Sequence, residues 1–191
     1  MTGVTSIPTI YAGVEFRSTL EADWAATLDS LGIVWQYEPE AVRLPSGVSY
    51  RPDFYLPRIA TWLEVKGPHM QRIRKTEELA ETVFHFPDCS GRGEYIEGFG
   101  EGLCCRGEYQ LVVVGLAPER GLITWQLLHE YSSDHYDHFL TRCPRCDEWW
   151  WMSCLGAFGC RAHRRFGSGD ENLGGETGED LPFVRASGVT R

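Results

Sequence analysis

Leu20, Trp24, Leu28 and Leu31 recur at steps of four, four and three residues, which puts four apolar side chains on one face of a helix. Ser18-Thr-Leu-Glu21, at the head of this run, has the Ser-x-x-Glu form that caps a helix N-terminus, and Gly32 supplies a stop. The period then shortens. Residues 33–37, 41–44, 50–56 and 61–65 are short runs rich in β-branched and aromatic residues, separated by Pro39, Pro45, Gly47 and Pro57, and they read as strands of one meander. From Met70 to Phe84, Ile73, Leu79, Ala80 and Val83 stand among charges and predict a second helix. Residues 109–115 are nearly all apolar, the pattern of a strand buried on both faces, and residues 122–127 predict one strand more.

This order divides the chain into a flexible N-terminus (1–14), a main domain (15–142), a compact Cys/Trp/His segment (143–165) and a Gly- and acid-rich tail (166–191) expected to be disordered. Within the main domain, residues 86–108 are rich in Gly and Glu and predict a long loop or insertion holding Cys89, Cys104 and Cys105. Residues 129–141, with His129, His135 and His138, have no clear period and read as helical. A chain of 191 residues with 42% hydrophobic and 24% charged positions has the material for one cored domain, so wholesale disorder is excluded. No stretch approaches the ~20 apolar residues of a membrane span, and the first residues lack the pattern of a basic segment followed by an apolar run and a cleavage site. Seven cysteines, two of them in a Cys-x-x-Cys, fit a reduced chain with a metal site better than a disulfide framework. The expectation is a soluble cytoplasmic protein without a membrane partner. The net charge of −9 argues against a coat of bulk positive charge on nucleic acid, and leaves room for a local basic groove.

The chemistry concentrates in Arg51-Pro-Asp53-Phe-Tyr-Leu and Trp62-Leu-Glu64-Val-Lys66-Gly67. If both runs are strands of a hairpin, period two puts Glu64 and Lys66 on one face with Val65 on the other, and Asp53 can face Glu64 across the pair. Two converging carboxylates repel unless a cation lies between them, and hard oxygen donors suit Mg²⁺ or Mn²⁺. A lysine beside such a centre can orient a water or neutralise charge on a phosphoryl oxygen, the equipment of metal-assisted phosphodiester hydrolysis. Taken alone, a Glu-x-Lys is an ordinary cross-strand pair, and Glu21 an ordinary capping-box partner.

Phe16-Arg-Ser-Thr-Leu-Glu21, Tyr37-Glu-Pro-Glu40, Tyr50-Arg-Pro-Asp-Phe54 and Glu64-Val-Lys-Gly67, in this order, resemble the PD-(D/E)XK nuclease superfamily, most of all phage-type endonuclease I and Holliday-junction resolvases. Transposon-end nicking endonucleases are close cousins. The resemblance covers residues 15–128 and implies a restriction-endonuclease-like α/β fold, an αβββαβ core with a mixed central sheet. It further implies Asp53, Glu64 and the Val65 carbonyl as Mg²⁺ ligands, Glu21 as an additional acid, and Lys66 as the water-positioning or charge-stabilising group. Gln71 and Lys75 fall where related nucleases place substrate contacts, and with Arg72 and Arg74 they would form a basic patch for DNA phosphates. DNA is the implied partner, and a homodimer or a larger phage or mobile-element complex the implied assembly.

Cys143-Pro-Arg-Cys146, thirteen residues and Cys160-Arg-Ala-His163 make two ligand pairs with the spacing of a zinc knuckle. Cys154 lies between them as an alternative ligand. With all four positions filled by protein, the zinc would be structural. Trp149-Trp150-Trp151 inside the segment would pack around it, with one ring left to stack on a base. The expected activity is Mg²⁺-dependent endonucleolytic cleavage of DNA, with branched or otherwise structured DNA as the candidate substrate. The rivals are a catalytically silent binding module on the same scaffold and a subunit active only in a complex.

Overall fold

The computed structural model describes residues 6–67, 74–84, 95–96, 100–101, 110–117, 121–126, 136–143, 145–153 and 183–186. In chain order these form β1 (Thr9–Tyr11), β2 (Val14–Phe16), α1 (Thr19–Ser30), β3 (Gln36–Tyr37), β4 (Val42–Arg43), β5 (Ser49–Tyr50), β6 (Phe54–Leu56), a 3-10 turn (Pro57–Ile59), β7 (Thr61–Lys66), α2 (Arg74–Phe84), β8 (Tyr95–Ile96), β9 (Gly100–Glu101), β10 (Gln110–Ala117), β11 (Gly121–Gln126), β12 (Tyr136–Arg142) and β13 (Trp149–Ser153).

Both ends of α1 follow the local signals. The Ser18 hydroxyl accepts the Glu21 N–H at 3.1 Å. At the other end the Gly32 N–H reaches Asp29 O at 3.0 Å and the Ile33 N–H reaches Leu28 O at 2.9 Å, with Gly32 at φ +69°. This is the double closure of a Schellman turn, and it needs a residue that tolerates positive φ.

Among the described residues the main sheet has seven strands in the order β13-β12-β11-β10-β7-β6-β3. Its pairs are antiparallel except β7 with β10, which run parallel with α2 in the crossover between them, so the protein is α/β with a mixed sheet. One face carries Phe54 and Leu56 of β6, Leu63 of β7 and Val112 and Val114 of β10, all buried against Phe16, Trp24 and Leu28. Leu111 and Val113 point to the opposite face, where α2 lies against β10, and both are fully buried. A strand covered on both faces by apolar partners is what the unbroken run at 110–117 encodes. No helix of the described residues is long and apolar enough to cross a membrane.

Several expectations are corrected. Residues 9–14, expected within a flexible N-terminus, form with Glu15 and Phe16 the β1–β2 hairpin, with Thr9 2% exposed and its hydroxyl 2.9 Å from that of Thr19. The meander is β3-β6-β7. β4 and β5 pair only with each other as a side ribbon, because the turn at Gly47 (φ +80°) folds Leu44 onto Val48. Residues 136–141, read as helical, belong with Arg142 to strand β12 between β11 and β13; Tyr136, Phe139 and Thr141 are strand formers, and no helical period opposes them. Inside 86–108, β8 and β9 make a short pair.

The tail is corrected too. Residues 183–186, expected to be disordered, dock along α1. Val184 N–H donates to Thr27 Oγ1 at 3.0 Å, Ala186 N–H to Asp23 Oδ1 at 2.8 Å, and Arg185 Nη1 to Asp23 Oδ2 at 2.6 Å, while Phe183 meets Trp24 edge-on at 5.7 Å. Asp23 is 1% exposed, so these partners satisfy a carboxylate that would otherwise be buried alone. Ending the chain at residue 182 should therefore cost about 2 kcal/mol of stability, less than a fully buried pair because water reaches Asp23 once the tail is gone. An unchanged urea midpoint would contradict the docking.

Candidate active site

β6 and β7 pair with Phe54 opposite Leu63. One step further along the same register, Asp53 stands opposite Glu64, and opposed residues of an antiparallel pair share a face. The two carboxylates are 3% and 4% exposed. They are tied through the backbone: Asp53 N–H donates to Glu64 Oε2 at 3.3 Å, and Val65 N–H donates to Asp53 Oδ2 at 2.7 Å. Lys66, two residues beyond Glu64 on the same face, bonds Glu64 Oε1 through Nζ.

α1 delivers the third acid. Glu21 Oε2 accepts the Tyr37 hydroxyl at 2.5 Å and the Arg17 N–H at 3.2 Å, one residue outside the cap. The Arg17 guanidinium bonds Asp53 Oδ1 and reaches Glu38 Oε1 at 3.1 Å. Glu21, Asp53, Glu64 and Lys66, the four residues singled out in the sequence, are thus gathered at the junction of α1, β6 and β7.

The acids perturb their surroundings. Burial raises the Asp53 carboxyl well above its ordinary value, with the Glu64 and Glu21 charges adding to it and the Val65 N–H and Arg17 opposing it. Tyr50, whose hydroxyl lies 3.0 Å from Thr76 Oγ1 of α2, is raised by burial and then by the Glu64 carboxylate it faces. Tyr37 is pushed up to about 12 by burial and by Glu21. Each buried acid has a protein cation on it, Arg17 on Asp53 and Lys66 on Glu64, which lowers the cost of holding the acids together.

Among the described residues no three His, Cys, Asp or Glu side chains converge as a ready metal cage. Mg²⁺ seldom uses one; it keeps most of its waters and takes one or two carboxylates plus substrate phosphate oxygens. Asp53, Glu64 and the Val65 carbonyl are a donor set of that kind, all hard oxygens on facing positions of one strand pair.

The remaining candidates divide. Arg74 and Lys75 are exposed on the first turn of α2, whose Thr76 joins that turn to Tyr50. Gln71 and Arg72 lie outside the described residues. Cys143 and Cys146 bracket the β12–β13 turn, where Cys143 N–H bonds Glu148 O and Asp147 N–H bonds Cys143 O, both at 2.8 Å. Cys143 is buried and Cys146 exposed. Cys154, Cys160 and His163 lie outside the described residues, as do Cys89, Cys104, Cys105, His129 and His135. Trp149 packs: its indole N–H donates to Leu31 O at 2.9 Å, and Arg142 stacks on its ring at 4.2 Å. The side chains of Trp150 and Trp151 fall outside the description.

Arg17, Tyr37, Glu38, Tyr50 and Arg51 were given no role of their own in the sequence reading, although they lie within the motifs that carry the resemblance. Pairing a tyrosine or arginine with a distant acid needs the hairpin and α1 assembled, which spacing along the chain does not give. No protein-family model, curated protein or solved structure matches this chain.

Proposed function

We propose that the chain is a Mg²⁺-dependent endonuclease that hydrolyses DNA phosphodiester bonds, with branched or otherwise structured DNA as substrate in phage or mobile-element metabolism. The observation that carries this reading is the pair of buried, facing carboxylates, Asp53 and Glu64, with Lys66 on one of them and Glu21 adjoining. A buried acid pair costs stability, and sites that retain such a cost are enriched in function.

In this reading Asp53, Glu64 and the Val65 carbonyl hold Mg²⁺, which supplies Lewis acidity toward a phosphoryl oxygen and acidifies a bound water. Lys66 holds a proton on Nζ beside Glu64, where it orients the attacking water or offsets charge growing on the phosphoryl group. Glu21 and Tyr37 hold α1 to the strand pair and keep Arg17 on Asp53. Arg74 and Lys75, exposed on the first turn of α2, contact the DNA backbone. Lys66→Ala should lower cleavage at least ~10²-fold with folding intact, measured on single-stranded, duplex, flapped and four-way-junction DNA with and without Mg²⁺.

A silent binding module is the second reading, favoured by one observation: each of the two buried acids has a protein cation on it, Arg17 on Asp53 and Lys66 on Glu64. Under it the wild type cleaves none of these substrates.

A structural Zn²⁺ on Cys143, Cys146, Cys160 and His163, with Cys154 as the alternative, belongs to either reading. Protein prepared without chelator should carry about one zinc per chain by elemental analysis. Finding none would refute the knuckle.

A further inference from the structure

Beside the buried acids stands a group the proposed reaction has not used. Arg17 and Arg51 both reach Glu38, Arg17 Nε to Oε1 at 3.1 Å and Arg51 Nη1 to Oε2 at 3.7 Å. Their side chains are 56% and 52% exposed, whereas Glu38 is 30% exposed and Lys66 only 17%. Glu38 N–H donates to Asp53 O at 2.8 Å, so the carboxylate that joins the two arginines sits on backbone tied to the acidic centre itself.

The geometry points to Arg17 and Arg51 as a phosphate subsite at the rim of that centre, binding the DNA phosphodiester next to the one that is cleaved; this rests on the nuclease reading above. Two observations converge on it. A chain with net charge −9 and four carboxylates in one cluster repels a polyanion unless cations face the solvent at the same place, and these two do. A guanidinium presents paired N–H donors that match phosphate oxygens as they match a carboxylate, and Glu38 meets each arginine through one nitrogen only, so it holds the place of an anion between two half-exposed guanidiniums.

Binding is then an exchange. Phosphate oxygens accept from the outward N–H groups of Arg17 and Arg51, and Glu38 turns to water while Arg17 stays on Asp53. The arginines orient DNA and hold no proton that the reaction moves.

The test is anisotropy of labelled four-way-junction DNA in EDTA, across a salt series, with wild type, Arg17→Gln, Arg51→Gln and Glu38→Gln, alongside cleavage in Mg²⁺. Arg51 meets Glu38 loosely, so Arg51→Gln should fold normally. It should weaken binding about tenfold and lower the slope of log Kd against log salt by about 0.9, one phosphate contact. Arg17→Gln should do the same, and Glu38→Gln, which removes the charge that both arginines meet, should tighten binding. A wild type that cleaves while Arg17→Gln and Arg51→Gln keep its affinity and salt slope overturns the subsite and leaves the nuclease standing. A wild type that cleaves nothing, but whose binding falls in both arginine variants, supports the subsite and overturns the nuclease.

Discussion

Asp53→Asn should melt above the wild type in metal-free buffer at about pH 8, and the difference should shrink as the pH falls toward about 4. The Asp53 carboxyl is raised well above its ordinary value by burial, then by Glu64 and Glu21, so the folded protein holds that proton more tightly than the unfolded chain. Stability from the protonated form is complete below the ordinary carboxylate value and is lost as the pH rises through the raised one. Asparagine keeps an oxygen for the Val65 N–H and carries no charge to repel Glu64. The same change removes a metal ligand and should cost several kcal/mol of transition-state stabilisation, at least ~10³-fold in rate, with DNA binding largely kept. Glu64→Gln should lose cleavage in the same way. Wild-type turnover in either variant would remove that residue from the centre, and a lower melting temperature for Asp53→Asn at every pH would contradict the charge conflict.

The second large effect arises on the strand next to the acids. Gly115 of β10 lies beside Lys66 in the parallel pair, and a Cβ there would stand 2.5 Å from the Lys66 carbonyl oxygen. That contact is with backbone, so the strands must part. Gly115→Ala should destabilise by about 1–3 kcal/mol and, by moving the end of β7, shift Lys66 from Glu64 and lower cleavage in the folded fraction. Urea unfolding with rate measurement checks both. Wild-type stability and rate together would contradict the close approach.

How much of this was legible depends on the range of the interaction that makes each part. The ends of α1 were readable because Ser18 and Gly32 act on neighbours within four residues. β6, β7 and β10 were readable because their period and apolar runs are local as well, and the Asp53–Glu64 register follows from one hairpin. β12 was missed because its pairing comes from β11 and β13, with only a weak alternation of its own. The docked tail was missed for the same reason: Phe183 and Arg185 sit in a Gly- and acid-rich context, and their partners Trp24 and Asp23 lie about 160 residues away. In the candidate site the acids and Lys66 announced themselves by type and spacing. Arg17, Tyr37, Glu38 and Arg51 acquire their place only once α1 and β3 close on β6.

The most direct test is the cleavage rate of four-way-junction and flapped DNA by wild type and Glu64→Gln as Mg²⁺ is titrated from none. Rates that rise and saturate with Mg²⁺ for the wild type, and stay at background for Glu64→Gln, are the result expected of a carboxylate-held metal nuclease. Background rates for the wild type at every Mg²⁺ concentration, or equal rates for the two proteins, would contradict it.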